Sequence, residues 1–424
     1  MTRSAFRKDW VESGYISRLV DRLNEGTELN SEGSIAFRAD DFEDLFFLLA
    51  DGVTYPEDVT RSDVSSISYR AFIDLRKLGR VDTRTLIREI AKRVGDLRSS
   101  PRQIYTMWSK MRLRQMPFAK TVRFNFDGVS VRTAAHLPRW LQLDEHFISG
   151  VGRIKPDVLP FFGYIIFSVE ARNENEAAKR IFDACDLLYA IVNTAWRSIE
   201  LWVQRRPAAR VWLGPNQFFF RDRKFIGKDA VWYNQDYDEA TWNLFPADAH
   251  EFRKRSPMFR KVLARLNAHP LREPLSKALL LISEGMVSRD LAFRLMRFWS
   301  ASEVLYSEDE ERTNIKKLIS RLTFASGEEA WLDRLKLQRA YHLRNSYVHS
   351  GSRENDDSSL VQHLREKLLI QIYYYIFKAA DIRSHRELLM MVDLPADETL
   401  LDQQALAIER RRNLVRTGRH LPAS

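Results

Sequence analysis

One cysteine, Cys185, stands in a chain of 424 residues, so neither a disulfide framework nor a cysteine-built zinc site can form within a single copy. Set in the helical pattern RIFDACDLLYAIVN, it reads as a small buried apolar side chain. No run approaches the roughly 18 apolar residues that a membrane-spanning helix needs, and the opening MTRSAFRKDW lacks the apolar stretch of a secretory signal. The expectation is a soluble cytoplasmic protein with no membrane partner. Familiar catalytic signatures are missing as well. There is no GxxxxGK[ST], GxGxxG or GxSxG, and the nine histidines form no HExxH, so nothing supports an NTPase, a dinucleotide enzyme, an α/β-hydrolase or a zinc site. No metal and no cofactor are expected. Internal repeats and low-complexity tracts are absent too.

What is present suits a globular chain: hydrophobic residues make up 45%, and the length suggests two or three domains. The net charge of +10, from 67 Lys and Arg against 57 Asp and Glu, favours polyanionic partners without separating RNA from DNA. Most of the excess is local. Between Arg80 and Arg123 twelve basic residues face Asp82, Glu89 and Asp96, an excess of nine. Within VDTRTLIREIAKRVGDL, Leu86, Ile87, Ile90 and Val94 form an apolar helix face, and Arg84, Arg88 and Lys92 recur at i, i+4 as a basic ridge. That ridge is either a phosphate-contacting surface or a solvated helix face. SSPRQIYTMWSKMRLRQM reads as a second helix with Pro101 in its first turn.

The fold class expected is α+β: a mixed N-terminal part followed by an all-α C-terminal part. Residues 1–118 read as mostly helical and basic, and 119–270 as α+β. TVRFNFDGVSVRTA alternates on both sides of an Asp-Gly turn and signals a hairpin. GYIIFSVEARNENEAAKRIFDACDLLYAIVN reads as strand, turn and helix, and ARVWLGPNQFFFRDRKF as a hairpin around Gly214 and Pro215. Its rings, interleaved with Arg221, Arg223 and Lys224 and followed by WYNQDYDEATWNLF, suit either single-stranded nucleic acid or a sheet core. A boundary is placed near Pro270 to Pro274, with helices over 271–400 and a frayed basic tail over 401–424.

Three helical patterns, LAFRLMRFWSASEVLYS, RTNIKKLISRLTFAS and EEAWLDRLKLQRAYHLRNSYVHSG, lead to the segment Arg344 to Gly351, and a fourth follows. In the third, Leu332, Leu335, Ala340 and Leu343 are assigned to the packed face. His342, Asn345 and His349 follow at i+3 and i+4 along one stripe, with Arg344 about a quarter turn away and Gly351 ending the helix. These residue types suit phosphodiester chemistry. Histidine titrates near neutrality and can take a proton from a ribose 2′-hydroxyl or return one to the leaving oxygen, while Arg stabilises the charge that builds on the phosphate. Asn345 can orient the imidazole or hold a phosphate oxygen. One His and one Arg per copy make a face-to-face dimer attractive, one His then acting as base and the other as acid. The plain alternative is that Arg and His near a helix C-terminus merely complement its dipole. His363 and His385 lie in the following helical stretch and form no metal-ligand pattern.

At these residues the chain resembles the HEPN superfamily, and within it the Apea-like HEPN families of prokaryotic defence proteins. Two motifs carry the likeness, which covers about a quarter of the chain: RFWSASEVLYS, with Glu303, Leu305 and Tyr306, and AYHLRNSYVHSG, in which Tyr341, Arg344, Asn345, His349 and Gly351 match by position. The resemblance implies an up-and-down helical bundle that dimerises across the Arg/His face. It implies a metal-independent endoribonuclease acting on RNA, tRNA among the candidates, as a toxin or abortive-infection effector with a phage-derived or accessory-protein trigger. Arg344 and His349 carry over as the catalytic pair and Asn345 as its support. Glu303 and Tyr341 follow as supporting residues, Glu303 being equally readable as an exposed helix acid or a structural ion-pair acid, and the stripe itself adds His342 as a further supporting residue. Where HEPN toxins paired with nucleotidyltransferases carry a Tyr, this chain has Gly351, so control through that tyrosine is not expected. A non-catalytic HEPN scaffold that binds nucleic acid or a protein is the alternative.

Overall fold

A computed structural model of the chain describes residues 7–30, 34–38, 42–56, 59–111, 121–144, 163–196, 213–227, 231–233, 249–288, 290–308, 314–327, 330–350, 358–395 and 397–418. The N-terminal part is helical: α1 (Lys8–Glu12), α2 (Tyr15–Glu25), a two-stranded ribbon of β1 (Thr27–Leu29) and β2 (Ile35–Phe37), then α3 (Phe42–Gly52), α4 (Arg61–Lys77) and α5 (Thr83–Ser99). Its apolar faces meet in a core of their own, built on Val20, Leu49, Phe72, Leu86 and Ile90. Caps fix the helix starts. Thr60 and Asp63 form a reciprocal capping box on α4, and the Asp82 carboxylate accepts from Thr85 N on α5.

The segment expected to be a second basic helix is instead a strand, β3 (Gln103–Met111). It is an inner strand of an antiparallel sheet, hydrogen-bonded on one edge to β6 (Gly163–Ala171) and on the other to β7 (Leu213–Arg221). Tyr105 through Ser109 are buried without a break, so the alternation that marks a half-exposed strand is erased. β-branched and aromatic residues at Ile104, Tyr105, Thr106 and Trp108 suit that position. β4 (Arg123–Phe126) and β5 (Val129–Ala134) form the hairpin expected from Asp-Gly, with Asp127 and Gly128 both at positive φ. The second hairpin does not turn at Gly214 and Pro215. Those residues lie inside β7, where the pairing with β3 shifts register between Ser109 and Met111, and a bulge is where a strand tolerates proline. The turn falls at Asp222 and Arg223, again both at positive φ, leading to β8 (Lys224–Phe225), and β9 (Val231–Tyr233) pairs further along β7.

One sheet face carries Met107, Phe124, Val131, Phe167 and Phe219 and packs under α6 (Glu174–Trp196). The other carries Trp108, Ile166, Phe218 and Phe220, with Leu141 of a single helical turn among them. The remainder is helical: α7 (Ala249–Ala268), α8 (Arg272–Val287), α9 (Leu291–Tyr306), α10 (Ile315–Leu322), α11 (Ala330–Ser350), α12 (Ser358–Lys378), α13 (His385–Val392) and α14 (Glu398–Gly418). The chain is thus α+β with a helical C-terminal half. Pro270 to Pro274 spans the joint between α7 and α8, but the apolar core runs through it, from the sheet across α6 into the bundle as far as Val392. Asn193 of α6 donates to Ser283 of α8 at 3.1 Å within that core. Residues 401–418, expected to be a frayed tail, continue α14 as helix. No helix among the described residues is long and apolar enough to cross a membrane.

Helix α8 meets α9 at Gly285, where an added Cβ would stand 2.5 Å from the Phe298 ring, whereas Gly95 on α5 has nothing within 4 Å. Gly95→Ala should therefore stabilise the protein by about 0.5–1 kcal/mol through helix propensity. Gly285→Ala should cost about 1–3 kcal/mol by overpacking, both read from denaturant midpoints.

Candidate active site

Helices α9 and α11 build the site. The Asp290 side chain caps α9, accepting from Ala292 N and Phe293 N at 2.8 and 3.1 Å, which fixes where its inward residues fall. One of them, Trp299, is buried and stands 5.5 Å, centroid to centroid, from the Tyr341 ring of α11. Its indole N–H donates to Glu303 Oε1, one turn on, at 3.1 Å. The two helices are thereby registered so that the half-buried Glu303 carboxyl feels the Arg344 guanidinium. Arg344 Nη1 in turn donates to Asn345 Oδ1 at 3.2 Å. Burial pushes the Glu303 pKa above the ordinary carboxylate value, against the opposing pulls of Arg344 and the Trp299 N–H.

Glu303, Tyr341, Arg344 and Asn345, taken from two separate motifs, therefore come together. His342 lies on the exposed face, its ring 5.7 Å from that of Tyr341. His349 belongs to α11, but its side chain, like the whole of Gly351, lies outside the described residues. Arg344 does not sit a quarter turn from the stripe of His342, Asn345 and His349 as a group. At about 100° per residue, those three backbone positions stand some 100° to 160° around the helix from it. Arg344 shares the inner side of α11 with Leu337 and Ala340, both buried. Leu335, expected to pack inward, is 54% exposed, and Leu337 takes the core position in its place.

Other polar groups of the bundle were not legible as a set. Asp333 of α11 is buried and receives Lys367 of α12, while His363 Nε2 lies 3.1 Å from Asp333 Oδ1. Lys367 also reaches Ser326 Oγ at 3.1 Å. Burial holds the His363 pKa down against the attraction of Asp333. His385 lies 2.8 Å from the Leu305 carbonyl. The buried Arg365 and the half-buried Arg294 have pKa values drawn down chiefly by burial, and for Arg365 also by repulsion from Arg294. Among the described residues no three His, Cys, Asp or Glu converge as a metal-ligand set.

Arg84, Arg88 and Lys92 are exposed along α5, which packs within the N-terminal core rather than against α11. In the aromatic segment, Phe218, Phe219 and Phe220 are buried in the sheet, leaving Arg221, Arg223 and Lys224 exposed beyond them. No protein-family model, curated protein or solved structure matches the chain.

A carboxyl whose pKa is raised in the folded state contributes stability below its ordinary value of 4.5 and loses it as pH rises through the raised value. Glu303→Gln keeps an acceptor for the Trp299 N–H and removes the desolvated charge. The variant should be more stable than wild type near pH 7 and indistinguishable near pH 4.5 by urea midpoint. Lower stability at pH 7 would show that attraction to Arg344 outweighs burial.

Proposed function

We propose that the chain is a metal-independent endoribonuclease whose C-terminal helices form a HEPN-type bundle and whose site is built on Arg344, Asn345 and His349. The observation that supports this most is the meeting of Glu303 from α9 with Tyr341, Arg344 and Asn345 from α11. Those are the residues that the two HEPN-like motifs pair, and they lie on different helices. In this reading the His349 imidazole takes the proton of a ribose 2′-hydroxyl, whose oxygen attacks the adjacent phosphorus. The bond to the 5′ oxygen breaks, and that oxygen leaves with a proton from a second imidazole. Arg344 N–H groups offset the charge gathering on the phosphate, and Asn345 holds the guanidinium in place. A homodimer across the Arg/His face of α11 supplies the second imidazole, and the exposed His342 borders the substrate path. The exposed ridge of Arg84, Arg88 and Lys92 gives RNA a backbone contact away from the site. Action in the cytoplasm as an antiphage effector, released by a phage-derived or accessory protein, extends the same reading.

A second reading draws on a specific observation. Arg344 is half-buried, bonded to Asn345 and faced by Glu303 within its own chain, which suits a bundle that binds without cleaving. Incubation of purified protein with total RNA and tRNA in EDTA separates the two. Wild type is expected to cut, and His349→Ala and Arg344→Ala to cut at least about a hundredfold more slowly. Arg84→Ala with Arg88→Ala should chiefly weaken binding and flatten its salt dependence. Binding by wild type without cleavage, lost in the Arg84/Arg88 variant and kept in His349→Ala, would favour the scaffold.

A further inference from the structure

Away from the α9–α11 site, the N-terminal helices and the sheet enclose a cleft of about 480 Å³. Four guanidinium groups line it, and they come from four separate stretches of chain: Arg70 on α4, Arg93 on α5, Arg172 at the turn into α6 and Arg221 at the end of β7. The walls are held by a carboxylate that has no capacity left for a ligand. Asp63 Oδ2 accepts from Thr60 N and Thr60 Oγ1 at 3.1 and 2.7 Å, and Oδ1 accepts from Asn173 and Asn175 at 2.8 and 3.0 Å. This buried clamp joins α4 to the start of α6 across the cleft.

Two of the arginines are braced by acids that do not line the cleft. Arg93 donates to Glu89 and Asp74 at 2.8 and 2.9 Å, and Arg172 stands 3.6 Å from Glu176. A guanidinium has five N–H donors in a fixed fork, so Arg93, bonded to its acids through Nε and Nη2, keeps donors over. Arg70 enters no ion pair among the described residues, and Arg221 stands opposite Tyr105 across the β3–β7 pairing, close enough to act on its phenol. Burial raises the Tyr105 pKa, so the phenol stays neutral and cancels none of the Arg221 charge. With Asp63 saturated, Glu174 is the remaining carboxylate of the lining, beside apolar surface from Ile67 and Leu97.

We propose that this cleft binds a phosphorylated ligand of nucleotide size, its phosphates on the four arginines, a hydroxyl on Glu174 and a planar ring against Ile67 and Leu97. A cavity of this volume holds a mononucleotide, and cations converging from separate segments with apolar surface beside them match a ligand that is charged at one end and flat at the other. Because the ligand would touch both the N-terminal core and the sheet, binding ties the two together. The proposal does not depend on RNA cleavage.

The test is calorimetric titration of the full chain at near-physiological salt with ATP, GTP, CTP, UTP and inorganic phosphate. At least one nucleotide should bind once per chain with Kd below about 1 mM, and inorganic phosphate should bind more weakly. Arg70→Ala with Arg221→Ala, both exposed positions, should weaken that binding about tenfold or more with thermal stability kept. Ile67→Trp, which fills the cleft and leaves the four arginines in the sequence, should abolish it with thermal stability kept. Failure of all four nucleotides to bind overturns the proposal, as does phosphate binding as tightly as any nucleotide. Undiminished binding in both variants overturns it too, because the ligand would then sit elsewhere.

Discussion

Helix α6 lies between the sheet and the helices that follow, and its burial on both sides is the constraint on which the rest of the molecule depends. Ala177, Ile181, Leu188, Ala190 and Ile191 are completely buried. Small side chains let the sheet and α8 approach closely, and each buried Leu or Ile contributes roughly 1.5–3 kcal/mol of transfer free energy. Cys185 belongs to this layer as one more small apolar group. Through α6 the sheet and the C-terminal helices share one core, so α8, and α9 locked to it at Gly285, take their positions from the sheet. The candidate site on α9 and α11 is thereby carried on packed helices rather than on loops. At the far end Arg321 of α10, itself buried, donates to both Asp393 oxygens at 2.7 Å and to the Tyr306 carbonyl at 2.5 Å, tying α10 and the end of α13 to the end of α9.

Within that scaffold the electrostatics of Glu303 and Arg344 are balanced rather than strongly paired. Burial disfavours the carboxylate, and the nearby guanidinium and the indole N–H favour it, with burial winning. A half-buried carboxyl beside a half-buried arginine is an arrangement that occurs both at functional sites and in structural ion pairs.

The sequence was most informative where a local rule acts alone. Asp127-Gly128 needs positive φ at both turn positions, and the hairpin is there. It misled where tertiary context overrides the local rule. Pro101 and the basic residues after Met111 suggest the start and flank of a helix, but QIYTMWSKM is covered on both faces, so no two-residue period survives to announce a strand. Gly214 and Pro215 look like a turn yet are absorbed by a register shift, while the actual turn, Asp222-Arg223, carries no glycine. At the site, Glu303, Tyr341, Arg344 and Asn345 were legible because their spacing resembles a family's motifs. Trp299, which registers the two helices, lay inside one motif without a marked role. The Asp333, His363 and Lys367 cluster and the four-arginine cleft were not legible, because their members stand on separate segments that only the fold assembles.

The chemistry of the cut ends tests the central claim most directly. Attack by a ribose 2′-hydroxyl, driven by imidazole rather than by a metal-bound water, leaves a 2′,3′-cyclic phosphate on one fragment and a 5′-hydroxyl on the other. End-group analysis of RNA cleaved by the purified protein in EDTA should find those two ends. Fragments bearing 5′-phosphate and 3′-hydroxyl would contradict the account, since they require water or another external nucleophile and leave no role for His349 in activating the ribose.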